Sequence, residues 1–191
     1  MKWQAPTRTV APAETLVSVA DAKTHCRIDD TASDSYIASL IAMAESRLDG
    51  YSGITGLALV TQTWAQKFDG FGTCIELPLA PVQSVAITYF DANNSSQTLS
   101  SSTYNLATDA LGARIELADG RSWPSTYNRP DAVTVTFVCG YGAASAVPKA
   151  IVHAALVLIG HYYEDREAQN SVEFVEFAVG ALLRPFRRVS V

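Results

Sequence analysis

Between Pro148 and Arg166 the chain reads PKAIVHAALVLIGHYYEDR, and from Ala150 to Ile159 the only polar residue is His153. Ile151, Ala155, Leu158, Ile159 and Tyr162 recur at helical steps, and the opposite side is nearly as apolar, so the spacing predicts a helix buried almost all round. Pro148 suits its first turn, where a missing N–H costs nothing and φ is already helical. The run stops at Glu164, Asp165, Arg166 and Glu167, short of the roughly 20 apolar residues a membrane span needs. A second helix is predicted by Ile37, Leu40, Ile41, Ala44 and Leu48, with Ser33 or Asp34 as its cap and Gly50 and Gly53 beyond its end. Its stripe needs an apolar partner, and the Pro148 helix is long enough to be that partner. Ser18, followed by Asp21 in the first turn, caps a shorter helix reaching about Cys26.

From Val60 to Gly142 the period shortens. VTQTWAQKF, CIEL, VAITYF, TYNL, RIEL and VTVTFV are β-type runs separated by Asp-Gly, Ala-Pro and Asn-Asn-Ser punctuation. Val133, Val135 and Phe137 alternate with Thr134, Thr136 and Val138, the mark of a sheet with one buried and one wetter face. The fold class expected is α+β: a small helical core of three to four helices, residues 18–57 and 143–168, with an antiparallel β module, 58–142, inserted in it. Residues 1–17, rich in Pro and Thr, form an N-terminal arm, either lying on a neighbour or loose. Residues 169–191 form a C-terminal segment. Within it Gln169 to Val179 is too apolar for a free linker and too irregular to assign, and Ala181 to Phe186 forms a last short helix that Pro185 ends or distorts.

Composition narrows the function more than it names one. At 191 residues one folding unit is expected, and the chain carries a net charge of -5. It therefore lacks a global basic field to hold nucleic acid phosphates. The charge is uneven: five acids lie between Glu164 and Glu176 against Arg166, whereas Arg184, Arg187 and Arg188 stand in a tail without acids. That asymmetry marks a partner surface. Cys26, Cys74 and Cys139 are widely spaced, with no C-x-x-C, and read as reduced, buried thiols. MKWQAPTRTVAPAE has no apolar h-region, so neither a signal peptide nor an anchor is expected, and the protein is placed in cytoplasm.

The candidate chemistry is thin. His153 and His161 share a helix, but eight residues turn it about 80° past alignment and separate the side chains by roughly 12 Å, so no metal site is expected. His25, Asp29 and Asp30 could be joined with a serine into a hydrolytic triad, yet no G-x-S-x-G elbow is present. Gly140-Tyr141-Gly142 lacks the Lys and Ser/Thr of a phosphate loop and reads as a strand-ending turn. Trp64, Trp123, Tyr89 and Phe90 have no flanking Lys or Arg and read as sheet core rather than a base-stacking platform. No enzyme activity, metal or cofactor is expected.

The order of the pieces is more specific than any one of them. TLVSVADAKTHCRID, DSYIASLIAMAESRLDGYSG, LVTQTWAQKFDGF, IELPLAPVQSVAITYFD, RSWP, VTVTFVCGYG and VPKAIVHAALVLIGHYYEDRE together resemble the head-to-tail connector (adaptor) proteins of long-tailed DNA phages and gene transfer agents, over residues 14 to 168. The resemblance implies a structural virion protein that forms a ring, dodecameric in the family, between the portal protein and the stopper or tail-completion protein. It also implies DNA passing through the lumen and no membrane partner. The location it implies is the host cytoplasm during assembly, then the neck of the virion or gene transfer agent particle. Glu173 and Glu176 are candidates for the contact between subunits. Leu182, Leu183, Arg184, Phe186, Arg187 and Arg188 are candidates for portal binding, since they combine apolar anchors with charge. Two other readings of that tail stay open: a helix packed on the chain's own core, or arginines touching DNA at the channel entrance. The other function classes are a small hydrolase or metal-dependent enzyme on a helical scaffold and a generic intracellular interaction module.

Overall fold

A computed structural model describes residues 1–109, 112–165 and 172–187. The chain divides into two compact units, each assembled from separated stretches of sequence.

The helical unit comprises Ala13–Val60 and Tyr141–Val189. Its helices are α1 (Val19–Cys26), α2 (Asp34–Leu48), α3 (Lys149–Glu164) and α4 (Val172–Leu183). Ser18 caps α1 as expected, its hydroxyl accepting from the Asp21 N–H at 3.0 Å. Ser33 occupies the cap position of α2 without making a side-chain hydrogen bond. Asp34 in the first turn instead meets Lys23 of α1 at 2.7 Å. Pro148 stands one position before α3, at the N-cap, where its carbonyl accepts from Ile151 and Val152. The stripe Ile37, Leu40, Ile41, Ala44 and Leu48 is buried, as are Ile151, Ala154, Ala155, Leu158 and Ile159. α2 packs on α3, α1 lies against both, and α4 covers another side of α3. Between Ile151 and Gly160 only His153 is exposed, so the all-round apolar character of α3 matches all-round cover.

The sheet unit comprises Met1–Pro12 and Thr61–Gly140. Its strands are β1 (Thr7–Val10), β2 (Gln62–Phe68), β3 (Cys74–Leu77), β4 (Val82–Phe90), β5 (Ser96–Thr98), β6 (Tyr104–Asp109), β7 (Gly112–Leu117) and β8 (Val133–Cys139). They form a five-stranded sheet in the order β1-β2-β8-β4-β5 and a three-stranded sheet in the order β3-β7-β6, with every neighbouring pair antiparallel. The alternation in β8 is realised: Val133, Val135 and Phe137 are buried, and Thr134, Thr136 and Val138 are not. Phe68, Ile75, Leu77, Ile87 and Ile115 complete the core, and the Tyr104 hydroxyl donates to the Val85 carbonyl at 3.1 Å, tying one sheet to the other.

The N-terminal arm departs from expectation. It is not loose: Thr7 pairs with Ala65 and Arg8 with Trp64, and the pairing resumes at Val10 with Thr63 after a bulge. Lys2 and Gln4 extend the ladder through Asp69 and Lys67. Farther along, Leu16 and Val17 are buried in the helical unit. The arm is thus an edge strand, and the bulge with Pro6 and Pro12 on either side blunts that edge.

Candidate interaction surface

The C-terminal helix α4 is built on a row of residues four apart. Val175 is half-buried, and Val179 and Leu183 are buried against the body of the helical unit. Leu183 is fully enclosed, which corrects the expectation that it serves as an outward anchor. The predicted short helix Ala181 to Phe186 also resolves differently. α4 continues to Leu183, and Pro185, which has no N–H for an α-helical bond, sits in a single 3-10 turn, Arg184–Phe186. The Arg187 N–H donates to the Leu183 carbonyl at 3.0 Å and closes this end. Arg184, Pro185 and Arg187 are exposed, and Leu182 and Phe186 half-buried. Arg188 lies outside the described residues, as does the side chain of Glu173.

Glu176 is partnered within its own chain, where its carboxylate accepts from Arg47 of α2 at 2.7 Å. That hydrogen bond is the largest influence holding the Arg47 guanidinium above its ordinary pKa, and Tyr162 of α3 adds to it. Both side chains remain partly open to solvent, so the pair orients α4 more than it stabilises it, at about 1 kcal/mol or less. The face of α4 turned away from the core carries Phe177, 76% exposed, and Ala181, also exposed. Between them a Cβ on Gly180 would meet no atom of the described residues within 4 Å outside its own stretch of helix.

The residues weighed for catalysis are scattered. His153 of α3 meets His25 of α1 edge-on with ring centres 6.2 Å apart, whereas His161 faces Tyr162. Among the described residues no group of three or more His, Cys, Asp and Glu side chains is placed to hold a metal ion. Asp30 accepts from the Ser33 N–H and shapes the turn before α2. Gly140 and Gly142 have φ of 124° and 122°, so the Gly-Tyr-Gly run is a turn that needs both glycines. Cys139 is buried, but Cys26 and Cys74 are only half-buried, a correction to the reading of three buried thiols. Burial pushes both half-buried thiols above their ordinary pKa. Glu164 adds to the shift of Cys26, and Glu116 with Glu76 to that of Cys74, so neither is primed as a thiolate.

The aromatic residues divide. Trp64 is core, its indole N–H donating to Gln62 Oε1 at 2.9 Å. Trp123, Tyr89 and Phe90 are half-buried instead: Trp123 stacks on Phe71 at 4.7 Å, and the Arg129 guanidinium covers Phe90 at 3.8 Å. Sequence reasoning passed over Glu45, whose carboxylate accepts from the Leu16 N–H and pins the segment before α1 to α2. Burial holds its pKa above the ordinary carboxylate range. The only signal for it in the sequence is a single acid beside the apolar stripe of α2.

A family model described as phage gp6-like head-tail connector protein matches residues 17–114. Among solved structures, a chain in the neck of an empty gene transfer agent particle, computed with C6 symmetry, superposes with a TM-score of 0.76 at 25% identity, covering 98% of this chain and 97% of its own. A chain in the virion of the native gene transfer agent particle gives 0.74 at 25% identity, with the same coverage. A chain in the native neck, computed with C12 symmetry, gives 0.74 at 26% identity, again over 98% and 97%. No curated protein is significantly similar in sequence.

Proposed function

The chain belongs to the phage gp6-like head-tail connector family, and from that premise we propose that it forms a closed ring between a portal protein and a stopper or tail-completion protein. Its role as a structural connector follows from the family and from the neck structures it resembles. The observation that carries the ring is a likeness spanning nearly the whole of both chains to a neck component in a cyclically symmetric assembly. Twelve copies are proposed, a number compatible with both the C12 and the C6 treatment of the related necks. DNA passes through the lumen, and a chain with a net charge of -5 suits a passage through which DNA slides without being held. The work is mechanical: no catalytic group, metal or cofactor is assigned. Assembly takes place in the host cytoplasm and the ring ends in the particle neck.

The portal-facing surface is proposed to be the exposed end of α4 and the turn after it: Arg184, Phe186 and Arg187, with Leu182 at the margin and Arg188 following. Leu183 stays in the chain's own core and holds this end in place. Arginine forks suit carboxylates, and a half-buried phenylalanine beside them supplies the apolar part of such a contact. Glu173 and Glu176 are retained as candidate subunit contacts, Glu176 acting from its position on Arg47. The test is the double substitution Arg184→Glu with Arg187→Glu. Because both side chains are exposed, the melting temperature is expected to stay within a few degrees, while attachment to portal-bearing heads drops and tailless particles accumulate. Normal tail attachment by the double variant overturns the portal assignment.

A further inference from the structure

We infer that the outward face of α4, centred on Phe177, is the contact by which one copy of this chain holds the next. This deepens the ring reading above and rests on it. Among the described residues Phe177 is the most exposed of the large apolar side chains, at 76%, and it projects from the middle of a helix whose other side is set into the core through Val179 and Leu183. A helix apolar on both faces is ordinarily covered on both, as α3 is. Among the described residues nothing covers the outward face of α4.

Charge decides between occupants. Each copy carries a net charge of -5, so neighbouring copies repel and a contact between them is best made where no charge is brought in. Phe177, Gly180 and Ala181 supply such an uncharged strip, with the neighbouring Glu176 already paired to Arg47 of its own chain, and the space at Gly180, open among the described residues, allows a neighbouring side chain to come close to the backbone. A dissimilar partner would be met by the arginines at the end of the same helix, one turn and more away. A cyclic assembly also needs two different surfaces on every copy, one to give and one to receive. The helical unit has a candidate for the second: Met43 on α2 is 45% exposed, and Tyr51 and Ile54 in the turn after α2 are 42% and 39% exposed. The Phe177 ring of one copy would lie against Met43 or the Tyr51 to Ile54 turn of the next.

The experiment places a photoreactive benzoylphenylalanine at position 177 of the full chain and irradiates both the purified protein and the necks of particles assembled with it. A product of twice the chain mass is expected in both, joined to a peptide that contains Met43 or the Tyr51 to Ile54 turn. In parallel, Phe177→Glu is expected to weaken self-association by about 30-fold or more, the effect of one hot-spot residue, with circular dichroism and melting unchanged, and Phe177→Leu to restore most of it. If position 177 joins a non-identical polypeptide in necks that contain the chain, or gives no product there, the inference is wrong while the connector reading stands. If the chain is absent from the necks, the connector reading fails and takes the inference with it.

Discussion

α3 and α4 are both strongly apolar helices, and they are treated oppositely. α3 is packed against α1, α2 and α4, so that among its central residues only His153 is exposed and the rest are buried or half-buried. α4 encloses Val179 and Leu183 on one side and leaves Phe177 and Ala181 open on the other. Apolar content alone therefore does not report where a segment sits within its own chain. A helix whose apolar surface exceeds what its neighbours can cover has surface left for something outside the chain.

Leu158→Asp tests the covered side most severely. It places a lone carboxylate at a position 2% exposed, and soluble folding should be lost, since such burial costs several kcal/mol out of a total of about 5–15 kcal/mol. A cooperative melt close to the parent's would refute the enclosure of α3. Leu183→Ala removes the anchor of α4 and should cost about 3 kcal/mol by denaturant titration, as truncation of a buried leucine does. A loss under about 0.5 kcal/mol would mean that the end of α4 is not a core element and would return Leu183 to the list of outward anchors. Gly180→Ala works on the open side. With space for the methyl group and a helical backbone, it should stabilise the isolated chain by about 1 kcal/mol. If copies pack closely there, the same change should weaken self-association, so that the two measurements move in opposite directions.

The smallest effect contrasts a covered carboxylate with uncovered ones. Glu45 is raised above its ordinary 4.5, mainly by burial, so the folded chain holds that proton more tightly than the unfolded one. Its contribution to stability is full below the unfolded value and lost as pH rises through the folded one. Asp91 and Asp131 lie below their ordinary 3.8, Asp91 held down chiefly by its hydrogen bond from the Ser95 N–H and Asp131 by Arg129, and their contribution is lost as pH falls through their folded values. Acidification from neutrality should thus raise stability slightly as Glu45 takes up its proton, then lower it below the ordinary aspartate range. Glu45→Gln should remove the rise and leave the fall, as followed by urea midpoints across pH.

Much of this architecture was legible because burial leaves a period. Six β-type runs became β2, β3, β4, β6, β7 and β8, and the stripe Ile37 to Leu48 became the inward face of α2. β1 escaped because all four of its residues are exposed, so it has no alternation to show, and Pro6 and Pro12 made its surroundings read as loop. β5 is three exposed residues behind the Asp91 turn, too short to differ from punctuation. α4 was obscured for the opposite reason. The row Val175, Val179, Leu183 has a clean four-residue step, but Phe177 and Ala181 lay a second apolar row beside it and blurred the period. On the candidate surface the basic residues could be named from sequence. Which leucine faces inward could not, because Leu182 and Leu183 are chemically identical neighbours and only the packing of α4 separates them.

The interleaving of the two units sets a timetable for synthesis. Thr7 must wait for Ala65, and β2 for β8, whose strand ends at Cys139. α2 likewise waits for α3, which begins only at Lys149. Neither unit can close while the first two thirds of the chain are emerging from the ribosome. A nascent chain of this design exposes unpaired strands and an unmatched apolar helix for most of its translation, and its folding rate is governed by distant pairings. Pulse-labelled chains arrested before residue 139 should be digested readily by protease, with protection arriving late and for both units together.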